Sequence, residues 1–232
     1  MLVELYNKRL LAAGLIVVGT LAYMALLNEM GVVAVVARTE DIDLARRQAL
    51  KLAAPLPFLE TVQATQLNFF PVTGMPQDAP STSVKRPGKE GLRVDVLTSG
   101  PTLGRIVPVR EIEWHAQTVP HYDYLLLRRR RAAMLAGGHC IPLTVPAPER
   151  FVWHKLYSSA SRTTDRVKAG KDLRQAATLA AILIEHDDMP FAESVRDVPA
   201  AILKAARSRL SSLRALLQAH PQALAEVERA LS

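Results

Sequence analysis

The chain has 232 residues, 49% hydrophobic, 5% aromatic and 22% charged, with a formal net charge of +7 and a pI near 9.8. This balance excludes a disordered chain and argues against a membrane protein, and the length holds one domain with a substantial core or two small ones. The excess of Lys and Arg favours polyanionic partners such as nucleotides or RNA, while Cys140, the single cysteine, excludes an intramolecular disulfide and fits a reducing compartment, the cytoplasm.

Val3 to Ala13 reads as a helix leading into Leu15 to Val18, a short apolar run rich in β-branched residues. Ala12 to Asn28 carries no charged side chain and follows Lys8 and Arg9, as a signal peptide or membrane span would. Gly14, Gly19, Thr20 and Asn28 dilute that run, and a buried strand followed by a buried helix over Leu21 to Met30 produces the same apolarity. No membrane is expected. Gly19-Thr20 then falls at a strand-to-helix turn, where free N–H groups and the positive end of the helix dipole favour a phosphate.

Thr39 to Leu44 is the richest stretch. If it is extended, Asp41 and Asp43 leave the same face and Glu40 the other, as a rim charge, because strand side chains alternate. Arg46 to Ala53 reads as a short helix stopped by Pro55 and Pro57, Phe58 to Gln66 as a further turn or two, and Leu67 to Val72 as a strand ending at Gly74. Met75 to Gly91 has no period and reads as a loop, either a plain connector or a segment near the site rim. Leu92 to Leu97 is a strand in which Asp95 sits between Val94 and Val96. Carboxylates converging from neighbouring strands repel unless cations sit between them, and hard divalent ions with oxygen ligands, magnesium above all, are the usual answer.

Ile106 to Val109 is a short apolar piece. Tyr122 to Leu127 precedes the run Arg128 to Arg131, either a solvated segment or a grip for triphosphate or an RNA backbone. Arg130 to Val145 reads as a hairpin turning at Gly137-Gly138. His139 and Cys140 lack the further ligands of a zinc site. Pro146-Ala147-Pro148 marks a boundary, after which the period is helical: Glu149 to Ser159, Asp165 to His186, Val198 to Gln218 and Gln222 to Leu231. Trp114 and Trp153 are expected in cores rather than against a base, and His154 is expected to pack or face solvent rather than act chemically. The fold class is α+β, a mixed-sheet domain over 1–146 followed by a helical bundle over 147–232.

An apolar strand, Gly-Thr, a helix, Asp-Ile-Asp and a later Val-Asp-Val, in that order, resemble the DNA polymerase β superfamily of nucleotidyltransferases, and within it a bacterial group of nucleotidyltransferase-fold proteins. The similarity runs over roughly residues 10 to 185. It is carried by Val18 to Ala22, Ala37 to Asp43, Leu92 to Thr98, Tyr122 to Leu126 and Arg150 to Leu156, with Thr20 where the superfamily has Gly or Ser. It implies that relatives often carry a longer N-terminal extension, so that this chain is a shortened form. It implies transfer of a nucleoside monophosphate from a nucleoside triphosphate to an acceptor, with two magnesium ions roughly 3.5–4 Å apart. Asp41 and Asp43 would bridge both ions, Asp95 would hold the one nearest the acceptor, and Gly19-Thr20 would cradle phosphate. The group's Lys-Leu and Lys-Asp motifs fall on Lys155 and on Lys171-Asp172, as phosphate contacts that steady the catalytic strand. The superfamily also contains toxins that modify tRNA, and the acceptor is expected to be tRNA, another RNA, a protein or a small hydroxylated molecule. The alternative is a nucleotide- or RNA-binding protein that keeps the fold without the reaction.

Overall fold

A computed structural model of the chain describes residues 1–33, 39–74 and 76–232. The chain divides into two units, Met1–Pro146 and Ala147–Ser232. Of the motifs named above, Ala37-Arg38 and the loop residue Met75 lie outside the described residues. No helix among the described residues is long and apolar enough to cross a membrane.

The first unit opens with α1 (Leu2–Asn7) and α2 (Leu10–Ala13). They replace the single helix expected from Val3 to Ala13, because Arg9 takes a left-handed φ of 60° and breaks the helical ladder. β1 (Ile16–Val18) is wholly buried and runs straight into α3 (Gly19–Glu29). There follow β2 (Asp41–Arg46), α4 (Phe58–Gln63), β3 (Phe70–Pro71), β4 (Ser83–Lys85) and β5 (Arg93–Ser99). Then come β6 (Ile106–Val109), β7 (Trp114–Val119), the single turn α5 (Tyr122–Leu125) and a separate hairpin of β8 (Arg129–Ala136) with β9 (His139–Pro146).

Among the described residues the main sheet runs β1-β2-β5-β4-β3, with β7 and then β6 joined to β5. β2 and β5 are parallel, while β1 is antiparallel to β2 and β4 to β5. β4 pairs with Arg93 to Asp95 and β7 with Leu97 to Ser99, so the two share one edge of β5. Alternation sets the faces: Ile42, Leu44, Val94 and Val96 are buried, whereas Asp41, Asp43, Arg93 and Asp95 are not. Burying one apolar face of β2 and β5 fixes which residues the opposite face presents, since a one-residue slip would bury the charges.

Three expectations fail here. Arg46 to Ala53 forms no helix; Glu111, in the 3-10 turn between β6 and β7, draws Arg46 Nη1 to 2.5 Å and accepts from Leu50 N at 2.8 Å, holding the segment open. The strand expected over Leu67 to Val72 shrinks to Phe70–Pro71, because Gln66 and Asn68 both take left-handed φ. The loop expected from Met75 to Gly91 contains β4, a strand with little periodicity of its own that is made regular by β5 alongside it.

In the second unit α6 (Pro148–Ser161) starts on a proline at its first position, and Asp165 caps α7 (Arg166–Glu185) by accepting from Lys168 N at 2.9 Å. A 3-10 segment over Phe191–Asp197 leads to α8 (Ala200–Arg207), α9 (Leu210–Leu216) and α10 (Pro221–Leu231). The helix expected from Val198 to Gln218 is thus two helices. Trp153 is fully buried, stacks on Phe191 at 5.0 Å between ring centroids, and donates its Nε1 hydrogen to Ser194 Oγ at 2.8 Å. Asp172, 3% exposed, accepts from Lys155 Nζ at 2.5 Å on one oxygen and from Arg162 Nε at 2.9 Å on the other, tying α6 to α7.

Two stability predictions follow from these contacts. Burial pushes the Glu111 carboxyl up, but its own backbone N–H, that of Leu50, and Arg46 outweigh it and hold the group below its ordinary value of 4.5. A lowered folded value means the contribution is complete above pH 4.5 and is lost as pH falls through the folded value. Glu111→Gln should therefore cost about 1.5–3 kcal/mol at neutral pH, with the gap to wild type closing in acid, read by denaturant melts across pH. Asp172→Ala strands Lys155 in the interior and should cost about 3–5 kcal/mol in the same assay.

Candidate functional site

The parallel register of β2 on β5 pairs Asp41 with Arg93 and Asp43 with Asp95. On the far side of β5, the antiparallel register of β4 adds Lys85 opposite Arg93 and Ser83 opposite Asp95. Two rows therefore cross one face of three strands: Asp43, Asp95 and Ser83 in one, and Asp41, Arg93 and Lys85 in the other. Cross-strand neighbours on one face lie close enough to interact directly.

β1 brings the strand-to-helix turn to the same place, since Val18 pairs with Asp43 and Gly19 follows. Gly19 has a φ of 65°, and a Cβ added there would come within 1.9 Å of Asp43 Oδ2. Only glycine tolerates both the left-handed backbone and the carboxylate pressed against it. The N-terminus of α3 and the Asp43 carboxylate are thus in contact. Thr20 is 5% exposed, so what this turn offers a phosphate is backbone N–H rather than the hydroxyl. At the head of β2, Thr39 Oγ1 donates to Asp41 O at 3.2 Å and fixes the entry of the strand.

Asp95 is held in a closed ring of hydrogen bonds. Ser83 Oγ donates to Asp95 Oδ1, Arg93 Nε donates to the same oxygen at 2.7 Å, and the other end of the guanidinium donates to Ser83 Oγ at 2.8 Å. Ser83 is 2% exposed, whereas the Arg93 side chain is 40% exposed. Sequence reasoning passed over both residues. Arg93 carried a usable signal, because it stands two before Asp95 and so shares its face by the same alternation that joins Asp41 to Asp43. Ser83 carried none, lying in a stretch with no strand pattern.

Hard oxygen donors on one face, beside a turn that a Cβ would fill, match in kind what a divalent magnesium ion takes. Among the described residues no group of three or more His, Cys, Asp and Glu side chains is gathered closely enough to hold a metal, and Asp95 is engaged with Arg93 instead. His139 and Cys140 are exposed and belong to no such group. The backbone thus brings Gly19, Asp41, Asp43 and Asp95 to one sheet face. Lys155 and Asp172 are buried in the helical unit as partners of each other, with Lys155 also 5.3 Å from the Phe151 ring centroid, and Lys171 is half-buried on α7. Trp114 stands 5.7 Å from Phe58 in the sheet unit, a packing contact.

A crystal structure of an antigenic nucleotidyltransferase-like protein from Paracoccidioides brasiliensis is similar to this chain at 14% identity and a TM-score of 0.44, covering 98% of this chain and 90% of that one. No curated protein matches the chain. A family model described as Nucleotidyltransferase matches residues 1–200. By that match, over most of its length, the chain belongs to a nucleotidyltransferase family.

Proposed function

We propose that the face shared by β2 and β5 carries out magnesium-dependent nucleotidyl transfer from a nucleoside triphosphate to an acceptor. The observation that carries this is the register of Asp43 on Asp95, with Gly19 pressed on the Asp43 carboxylate. In the reaction an acceptor oxygen attacks the α-phosphorus, the bond to the bridging oxygen breaks, and pyrophosphate leaves with that oxygen. Asp41, Asp43 and Asp95 are the residues that would hold two magnesium ions. Bound there, the metal supplies charge stabilisation for the attacking and leaving oxygens. Asp95 would also take the acceptor proton. The backbone N–H groups at Gly19 and Thr20, at the positive end of α3, would meet a phosphate.

Lys171 remains a proposed phosphate contact. For Lys155 and Asp172 the better-supported role is internal, since the ammonium and the carboxylate already engage each other within the helical unit. The acceptor proposed is tRNA, another RNA, a protein or a small hydroxylated molecule, in the cytoplasm, and a toxin-like role on tRNA belongs to the same reading. The net charge of +7 and the exposed Arg129, Arg130 and Arg131 support a polyanionic partner. A second reading, nucleotide or RNA binding without turnover, is favoured by the engagement of Asp95 with Arg93 and by the burial of Thr20.

The four labelled triphosphates, each incubated with magnesium against total tRNA and against cell lysate, separate these readings. Turnover should label an acceptor and release pyrophosphate, whereas tight triphosphate binding with no pyrophosphate after long incubation establishes the second reading. Asp41→Ala or Asp43→Ala should lower incorporation about a thousandfold or more, since several kcal/mol of charge stabilisation leave with the metal. Unchanged incorporation would remove these carboxylates from the site. Gly19→Ala forces an unfavourable backbone and drives Cβ onto the Asp43 carboxylate; it should cost about 1–3 kcal/mol of stability and weaken triphosphate binding, read by melting and by fluorescent-nucleotide titration.

A further inference from the structure

The hairpin of β8 and β9 forms a sheet of its own, and its two faces have opposite characters. On one face Ala132, Ile141, Leu143 and Val145 are buried, which anchors both strands. Alternation puts Arg129 and Arg131 on the other face, their Cα atoms about 7 Å apart, with Thr144 directly across from Arg131. Arg130 alternates to the inner face at the end away from the turn and is exposed as well. No Asp or Glu occurs between residues 124 and 148, so the hairpin has no acid of its own to cancel these charges. Glu29 does reach β8, but its Oε1 accepts from Ala133 N at 2.8 Å, further along the strand, and so caps the backbone edge. Among the described residues Arg129, Arg130 and Arg131 meet no carboxylate, whereas Arg46, Arg93 and Arg162 each do.

Like charges held side by side repel, so an anion that binds them relieves a cost the free protein carries. The shape of the surface decides which anion. A small one is held in a concave site, and this is the open face of a two-stranded ribbon. A lipid surface needs apolar side chains to bury, and Leu135 is the one large aliphatic side chain exposed among the described residues of either strand. What fits is a chain of phosphates, met by guanidinium forks at a fixed spacing on an anchored strand. Resting on the nucleotidyl-transfer reading, we infer that the outer face of the β8–β9 hairpin holds an RNA acceptor by its phosphate backbone. Neither strand carries a Phe, Tyr or Trp to stack a base, so the contact positions the RNA without reading its sequence.

The full chain is titrated with fluorescein-labelled total tRNA and followed by anisotropy between about 50 and 200 mM salt. Arg129→Gln combined with Arg131→Gln should weaken binding about tenfold and make the slope of log affinity against log salt shallower by about 1.5–2, because two counterion-releasing contacts are gone. Both side chains are exposed, so this variant should melt as wild type does. Arg196→Gln combined with Lys204→Gln removes the same charge from exposed positions of the helical unit and should stay within about twofold of wild type. Equal losses in the two double variants, or no loss in the hairpin variant, overturn the inference. So does arginine-dependent binding to phosphatidylserine vesicles with none to tRNA, which assigns the face to a lipid surface. In the incorporation assay the hairpin variant should need about tenfold more tRNA for half-maximal labelling and reach wild-type labelling at saturation, since only binding is lost. Equal labelling by wild type and hairpin variant at low tRNA overturns the inference and leaves the transfer reading standing. Binding of tRNA through these arginines with no labelling by wild type does the reverse: the face is confirmed as an RNA contact and the transfer reading falls.

Discussion

Like charge held at close quarters is the constraint on which this sheet turns. The parallel register sets Asp43 beside Asp95 with Asp41 one step along, and nothing in the backbone lets them separate, because Ile42, Leu44, Val94 and Val96 are buried on the opposite face. Turning either strand over to relieve the repulsion would carry aliphatic side chains into water and carboxylates into the core. The apolar face therefore enforces the acidic one, and the protein offsets the cost locally with Arg93 and Ser83.

Gly19 couples this face to the first helix. A side chain there would collide with the Asp43 carboxylate, so the positive end of α3 and the negative strand meet with only backbone between them. The two fields reinforce each other, since the positive helix end favours the carboxylate beside it. Every group proposed for the chemistry apart from Lys171 thus comes from three short segments of the first unit, β1 with its turn, β2 and β5.

The helical unit follows a different logic. Its charged cluster of Lys155, Arg162 and Asp172 closes on itself, with each carboxylate oxygen taken by its own cation. A buried pair of this kind is expensive to break and adds little net stability over an apolar core, so its value lies in fixing how α6 meets α7. The stacking of Trp153 on Phe191 and its bond to Ser194 do the same for the 3-10 segment.

The order of strand, glycine turn, helix and paired aspartates was legible from residues 15 to 44 alone, because alternation and helix-end chemistry are local rules. The same rule placed Asp95 on a strand, and the hairpin at Gly137-Gly138 announced itself through its glycines. Local rules stop where partners are distant. Ser83 became a strand residue only because β5 offered an unpaired edge, and Arg46 to Ala53 stayed open only because Glu111, far along the chain, drew Arg46 and the Leu50 N–H to itself. By itself the sequence determined which residues are acidic, which face they share within one strand, and where glycine must stand. Only the tertiary structure decided that Arg93 rather than solvent meets Asp95 and that Lys155 and Asp172 answer each other, since hydrogen bonds and ion pairs between distant segments depend on register and packing that no local pattern encodes.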